Sequence, residues 1–214
     1  MTERAGMVLS LAEERRDVAR ARILRAAGTV LANRGLAATI DDVADAAGVN
    51  RRTIFRHFAT RDGLFVAAIR GGIRRYAEQI PEPPETGDLG GWLREVLAVT
   101  HGLNARNGRV FWELVGVRPA GLSDELAAAA DECRTSRRRF AATVTGRVWR
   151  ARGGRGEPPG WLVDAVAVHL SGFTTQSLSG DFDRSPEEVA EVSARVLEAV
   201  FAAEMPVREN TSRP

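Results

Sequence analysis

The sequence contains no lysine; all 30 basic residues among its 214 are arginine. Cys133 is its single cysteine, which excludes an internal disulfide framework. No apolar run approaches the roughly 18 residues that a membrane span requires. The patch Met7–Leu11 is followed at once by acids, too short and too charged for a signal peptide. These absences predict a cytoplasmic protein with no membrane partner. Strand signals are scarce as well: β-branched residues do not alternate with polar ones, and no repeat of solenoid length is present.

Catalytic and metal-binding patterns are thin. His57, His101 and His169 stand far apart, with no His-x-x-x-His or Glu-x-x-His pair, so no metal and no cofactor are predicted. His101 and His169 can be imagined meeting Asp164 at a metal, but separate roles explain them more simply. Cys133 follows Asp131 and Glu132, whose charges raise a thiol's pKa and argue against a nucleophile. The stretch "GGRGEPPG" is glycine-rich, yet it joins two helices and lacks the Lys-Ser/Thr of a phosphate loop. The reading is not an enzyme.

What remains is a helical chain with an uneven charge. Residues 1–80 carry 14 Arg against 9 Asp/Glu, while residues 81–214 carry 16 Arg against 19 acids. A basic N-terminal third points to nucleic acid or another polyanion, although arginine-rich surfaces in general would give the same count. The first helix is predicted over about Asp17–Asn33, with Ile23, Leu24, Ala27, Val30 and Leu31 on one stripe. Gly35 stops it. Thr39 with Asp42 three residues on forms a capping box for a second helix, which Gly48 ends. Asn50 caps a third, short helix, and Thr60 caps a fourth that runs through Gly71 and Gly72.

The clear break in the chain is "PEPPETGDLGG", Pro81–Gly91. Beyond it, helices are predicted over about 89–107, 109–117, 123–152, 160–179 and 185–204, the last starting at "SPEE". The fold class is therefore all-α: a three-helix helix-turn-helix domain over 15–80, with the motif at about 39–58, and a helical domain over 81–205. Residues 1–14 and 206–214 are expected to be disordered.

A capped helix, a glycine turn and a second capped helix make a helix-turn-helix, whose second helix enters the DNA major groove. At 100° per residue, Ile54 and Phe58 share one arc of that helix. Arg52, Thr53, Arg56 and His57 share the opposite one, and Arg51 and Phe55 lie on the flanks. The apolar arc holds the helix to its neighbours; the other presents guanidinium forks and a hydroxyl that suit guanine edges or phosphates. A merely solvated polar face explains the charges, but not the turn, the caps and the arginine excess together.

"TIDDVADAAGVNRRTIFRHFATRDGLF" resembles the DNA-binding signature of the TetR family of bacterial transcriptional regulators. The motif covers about residues 39–65, and the resemblance extends from about Arg15 to Ile80. It implies that Arg51, Arg52, Thr53, Phe55, Arg56 and His57 occupy DNA-facing positions. Thr39 and Asn50 fall at the caps, and Thr60 and Arg61 fall at a phosphate clamp on the fourth helix. Two positions depart from the pattern, since members commonly carry Tyr where Phe55 and His57 stand. Arg15, Arg16, Arg20 and Arg22 can reach the DNA backbone or minor groove, or simply be solvated.

Such a regulator implies operator DNA as partner and, because operators pair half-sites, a homodimer. The last two helices are the natural interface, with Leu170, Leu178, Val192, Val196 and Val200 as contacts and Phe173 and Phe201 beside them. The resemblance also implies a small-molecule effector in the second domain. Candidate pocket residues are Trp92, Leu97, His101, Phe111, Trp112, Leu114, Phe140, Trp149 and Phe173, which ordinary core packing explains equally. Few charges fall on the middle helices' apolar faces, so an apolar or aromatic effector is expected. The reading is a dimeric repressor released from DNA by that effector. The alternatives are a ligand-independent or protein-responsive regulator and a non-specific DNA binder, and the acidic excess after residue 80 argues against the last.

Overall fold

The computed structural model describes residues 11–84, 88–117 and 121–204, with the side chains of 108, 111 and 115–117 also outside the description. The extension 1–10, the tail 206–214 and the side chain of Phe111 therefore lie outside the described residues. Among those described there is helix and turn but no strand. The helices are α1 (Leu11–Arg34), α2 (Ile40–Ala47), α3 (Arg51–His57), α4 (Arg61–Ala77), α5 (Leu89–Phe111), α6 (Asp124–Ala151), α7 (Gly160–His169), α8 (Gly172–Phe182) and α9 (Pro186–Glu204). A 3-10 turn, Gly35–Ala37, follows α1, and a π-helical turn, Trp112–Val117, follows α5.

Three expectations need correction. The first helix starts at Leu11, not Asp17, so Leu11–Glu14 belong to it rather than to a disordered extension; Glu13 and Glu14 suit its first turn. The helix expected over 109–117 is no separate element, because α5 runs on to Phe111 and ends in the π turn. The helix expected over 160–179 breaks at Leu170–Ser171, where the Ser171 hydroxyl accepts from the Thr174 amide and starts α8 afresh.

The N-terminal caps form as the spacing predicts. Thr39 and Asp42 exchange hydrogen bonds in a full capping box, which hold the Asp42 carboxyl below its ordinary pKa. Asn50 accepts from the Thr53 amide at 2.8 Å, and Thr60 from the Gly63 amide at 2.9 Å. Gly48 is left-handed, with φ 60°, as the α2–α3 turn demands. Arg22 locks that turn by donating to the carbonyls of Ala47 (2.5 Å) and Gly48 (2.8 Å). Its guanidinium thus serves the fold rather than a groove.

Two apolar cores run along the molecule. The proximal one joins Ile23, Leu31, Ile54, Leu64 and Phe65 of the first four helices to Val110, Leu114, Leu126 and Cys133. Burial first, and Glu132 second, push the Cys133 thiol up to about 11. The distal core joins Trp92, Leu97, Val144, Leu162, Leu197 and Phe201. The head, α1–α3 with the start of α4, is therefore roofed by the inner ends of α5 and α6, while α7 and α9 close the far end of the body. Among the described residues no helix is long and apolar enough to cross a membrane.

Candidate nucleic-acid interface

Helix α3 divides as the helical wheel requires. Ile54 is fully buried and Phe58 is 7% exposed, whereas Arg51, Arg52, Phe55 and Arg56 are exposed. A cleft of about 510 Å³ on the outer face is lined by Asn50, Arg52, Thr53, Phe55 and Arg56. Arg52 and Arg56 form no ion pair among the described residues and stand ready for an external anion. Arg51 is tied to Asp41 at 2.8 Å and braces α3 against α2. The Thr53 hydroxyl lies 3.0 Å from the Asn50 side-chain oxygen. Phe55 offers only an apolar surface, 43% exposed.

The start of α4 differs from the expected clamp. Arg61 donates to the carbonyls of Leu36 and Ala38, pairs with Asp62 at 2.9 Å and lies 4.4 Å from the centre of the Phe65 ring. The Thr60 hydroxyl lies 3.4 Å from the Glu125 carboxylate of α6. With its guanidinium committed to two carbonyls and a carboxylate at the helix start, this corner does not offer Arg61 to a phosphate. The competing partners lie 23 and 65 residues away in sequence, beyond the reach of local reasoning.

His57 is also differently placed from the expected free donor. Both ring nitrogens are buried and, among the described residues, have no hydrogen-bond partner. Burial first, then the charges of Arg56, Arg16 and Arg20, hold the imidazole below its ordinary pKa. It is neutral at pH 7.

Sequence reasoning missed Glu113. From the π turn its carboxylate accepts from the Leu36 amide at 2.6 Å and pairs with Arg109 at 3.1 Å, while Arg109 also donates to the Asn33 carbonyl. Gly35, at φ 62°, leaves room for that carboxylate; any side chain there would collide with it. The 3-10 turn that leads into α2 is thus held on its amide side by the body and on its carbonyl side by Arg61.

The expected pocket residues do not converge. Trp92 and Leu97 are buried in the distal core, with Phe140 and Trp149 packed against it. Leu114 belongs to the proximal core. Phe173 is 59% exposed and stacks on Trp112 at 5.2 Å, so it is a surface group rather than a pocket wall in this state. His101 is fully buried: its Nδ1 lies 2.8 Å from the Thr175 hydroxyl and its Nε2 3.3 Å from the Ser193 hydroxyl, which is also 3.3 Å from His169 Nδ1. Burial pushes His101 down to about 4. Ser193 was legible in principle, since it shares the four-residue spacing of Val189, Leu197 and Phe201 and is a polar residue in a buried stripe.

The expected dimer contacts also divide. Val192 and Val196 are exposed on α9, one turn apart. Leu178 is half-buried, and Val200 is half-buried against the distal core. Leu170 and Phe201 are instead buried in the distal core, which removes them from the expected contacts. Trp161, Val168, Phe173 and Phe182 add exposed apolar surface on α7 and α8.

Residues 23–68 match the family model described as bacterial regulatory proteins, tetR family. No curated protein sequence matches the chain. Several solved structures share its fold. A tetR-family transcriptional regulator from Streptomyces coelicolor is 25% identical with a TM-score of 0.65, over 88% of this chain and 83% of that one. The regulator LfrR from Mycobacterium smegmatis, solved with proflavine, is 27% identical with a TM-score of 0.60, over 88% and 97%. FadR from Bacillus subtilis, solved with stearoyl-CoA, is 15% identical with a TM-score of 0.63, over 85% and 97%, a likeness of fold alone. The family model falls on the helices that build the interface, and the shared fold extends through the body. The helix-turn-helix head thus matches bacterial regulatory proteins of the tetR family, and the chain as a whole has the fold of solved tetR-family transcriptional regulators.

Proposed function

We propose that this chain is a dimeric cytoplasmic repressor that leaves its operator when a small molecule enters the C-terminal body. The observation that carries the reading is α3 itself: a seven-residue helix anchored by Ile54, with Arg52 and Arg56 on its open side and unpaired among the described residues. Thr39, Asn50 and Thr60 act through their caps, fixing α2, α3 and α4. Arg52, Thr53, Phe55 and Arg56 meet the groove, with Arg51 at its edge. Two such heads must lie about one helical turn (~34 Å) apart or a multiple of it. The exposed apolar groups of α7–α9, including Val192 and Val196, supply a surface on which two copies can join.

The release half of the reading draws on the similar structures solved with proflavine and with stearoyl-CoA. Here the aromatic pair Trp112–Phe173 lies on α8 and the π turn, next in the chain to the Glu113 link to the head. An apolar or aromatic effector that parts this pair reaches the head through Glu113. The tight packing of Trp92, Leu97, Phe140 and Trp149 favours the alternative, a regulator that answers a protein or no ligand.

Sequencing DNA that co-purifies with the protein yields the operator. Affinity for it against random DNA at one salt concentration then decides, and a ratio near one sinks the repressor reading. Arg52→Ala and Arg56→Ala are each expected to cost about 1–3 kcal/mol of specific binding. A loss uniform across sequences would limit both to phosphate contact.

A further inference from the structure

On α5, between Leu97 of the distal core and Val110 of the proximal one, four helices of the body meet in a buried polar layer. His101 of α5, Thr175 of α8 and Ser193 of α9 are fully enclosed, and Ser171, the cap of α8, nearly so. His169, the last residue of α7, is half-buried and is the more exposed of the two rings. Their contacts make a chain. His169 Nδ1 lies 3.3 Å from Ser193 Oγ, which lies 3.3 Å from His101 Nε2. His101 Nδ1 lies 2.8 Å from Thr175 Oγ1, which lies 3.4 Å from the Ser171 carbonyl. Asn104 joins from the side, donating to Thr175 Oγ1 at 3.4 Å.

Each hydroxyl carries one proton and each neutral imidazole one, so the direction of any link fixes the next. In one direction Thr175 donates to His101 Nδ1, His101 donates from Nε2 to Ser193, and Ser193 donates to His169 Nδ1. In the other His169 donates from Nδ1 to Ser193, Ser193 to His101 Nε2, His101 from Nδ1 to Thr175, and Thr175 to Ser171. Only the second relies on the long link to the Ser171 carbonyl, so the first is the better arrangement while both rings are neutral.

We propose that protonation of His169 reverses this chain and moves the single proton of His101 from Nε2 to Nδ1, so that α8 feels the charge at the end of α7. A His169 with both nitrogens protonated cannot accept from Ser193, which leaves the second direction. His169 gains one proton from water. His101 keeps one, exchanged from Nε2 to Nδ1, and the hydroxyl protons of Ser193 and Thr175 rotate. The change arrives at Thr175, two residues from the exposed Phe173, without a charge entering the enclosed part of the layer. The device is independent of what the head or the body binds.

Among the described residues no arginine or carboxylate of α5, α7, α8 or α9 contributes to the titration of either ring. Burial lowers both; at His101 the His169 backbone opposes that and the His169 ring adds to it. A second proton would make both rings donate to the one Ser193 oxygen, each from 3.3 Å. Like charges that close hold the layer to one proton, and it sits on the ring that water reaches. The reversal therefore falls below the ordinary 6.5 of His169 and above the titration of His101, near 4.

The test is NMR of the full-length protein carrying 15N-labelled histidine, where the ring shifts distinguish a protonated from a bare nitrogen. His57→Gln, His101→Gln and His169→Gln assign the three rings. Between about pH 8 and pH 5, His101 is expected to stay neutral and to pass from mostly Nε2–H to mostly Nδ1–H in step with His169. In His169→Gln, whose amide does not titrate, the His101 tautomer should be independent of pH. In Ser193→Ala it should no longer follow His169. A wild-type His101 tautomer that stays constant while His169 titrates overturns the device. So does a His101 that itself becomes a cation in that range, or a tautomer change that persists in either variant. Should Ser193→Ala not fold, the comparison with His169→Gln decides alone.

Discussion

The head and the body both enclose an apolar core, but they differ in the polar side chains they bury and the apolar ones they expose. In the head, Arg51, Arg52 and Arg56 point outward and the interior is aliphatic and aromatic, with Ile23, Leu31, Ile54 and Phe65 fully enclosed. In the body the buried polar residues are Thr100, His101, Thr145, Ser171, Thr175 and Ser193, while Trp161, Val168, Phe173, Phe182, Val192 and Val196 lie outside. A polar outer face with an oily interior is the ordinary arrangement for a surface that meets a charged polymer in water. The body's additions to its apolar core need two separate explanations. The buried polar groups must satisfy one another, as His101, Thr175 and Ser193 do, and the exposed apolar groups call for a cover. The difference also bears on pH, because burial holds both histidines of the body below their ordinary pKa.

The largest effect expected from this contrast is acid instability rooted in the body. His101 is held near 4 instead of the ordinary 6.5 because its ring is buried. The unfolded chain therefore binds the proton more readily, so this contribution is intact above about pH 6.5 and is lost as pH falls towards 4. Over that window it amounts to about 3 kcal/mol, with His169, also lowered by burial, acting in the same direction. Denaturant unfolding of wild type and His101→Gln at several pH values checks this. The variant should be weaker at neutral pH yet lose less on acidification; equal acid slopes would remove His101 from the account.

A smaller effect is expected where the two regions meet. Glu113→Ala strips the acceptor from the Leu36 amide and frees Arg109. The cost should be about 1–2 kcal/mol, that of one half-buried charge-assisted hydrogen bond. Its signature is positional: a change in the body should speed hydrogen exchange of the amides from Leu36 to Asp42, in the head. Exchange that rises only around residue 113 would mean that the link does not couple the regions.

The head was far more legible in the sequence than the body, for a physical reason. Thr39–Asp42, Asn50–Thr53 and Thr60–Gly63 are contacts three residues apart, so the spacing alone specifies them. The groups that correct the reading act over long separations: Arg22 on Gly48, Arg61 on Ala38, Glu125 on Thr60, Glu113 on Leu36. Pocket and interface candidates were chosen by apolar character, which cannot distinguish a core from a covered surface; hence Leu170 fell inside and Phe173 outside. Averaging hid one feature entirely. From Cys133 to Gly156 there are eight arginines and no carboxylate, so the acidic excess after residue 80 is not spread evenly over the body.

The smallest effect concerns α4, the helix shared by both regions. It passes through Gly71 and Gly72 without interruption. A methyl at Gly72 would meet nothing within 4 Å, and one at Gly71 would meet the far ends of Arg75, at 3.3 Å, and Arg74, at 3.9 Å. Gly71→Ala with Gly72→Ala therefore removes backbone freedom, needing only a small shift of the Arg75 side chain, and should stabilise the helix by roughly 0.5–1 kcal/mol per site. For a chain of this size that is a few degrees in thermal midpoint. If these glycines form the hinge through which the body moves the head, amide protection in the middle of α4 must rise with the midpoint, since the same opening that exchange reports would carry the motion. A higher midpoint with unchanged protection there would place the hinge elsewhere, and the Glu113 contact would then be the remaining route between the two regions.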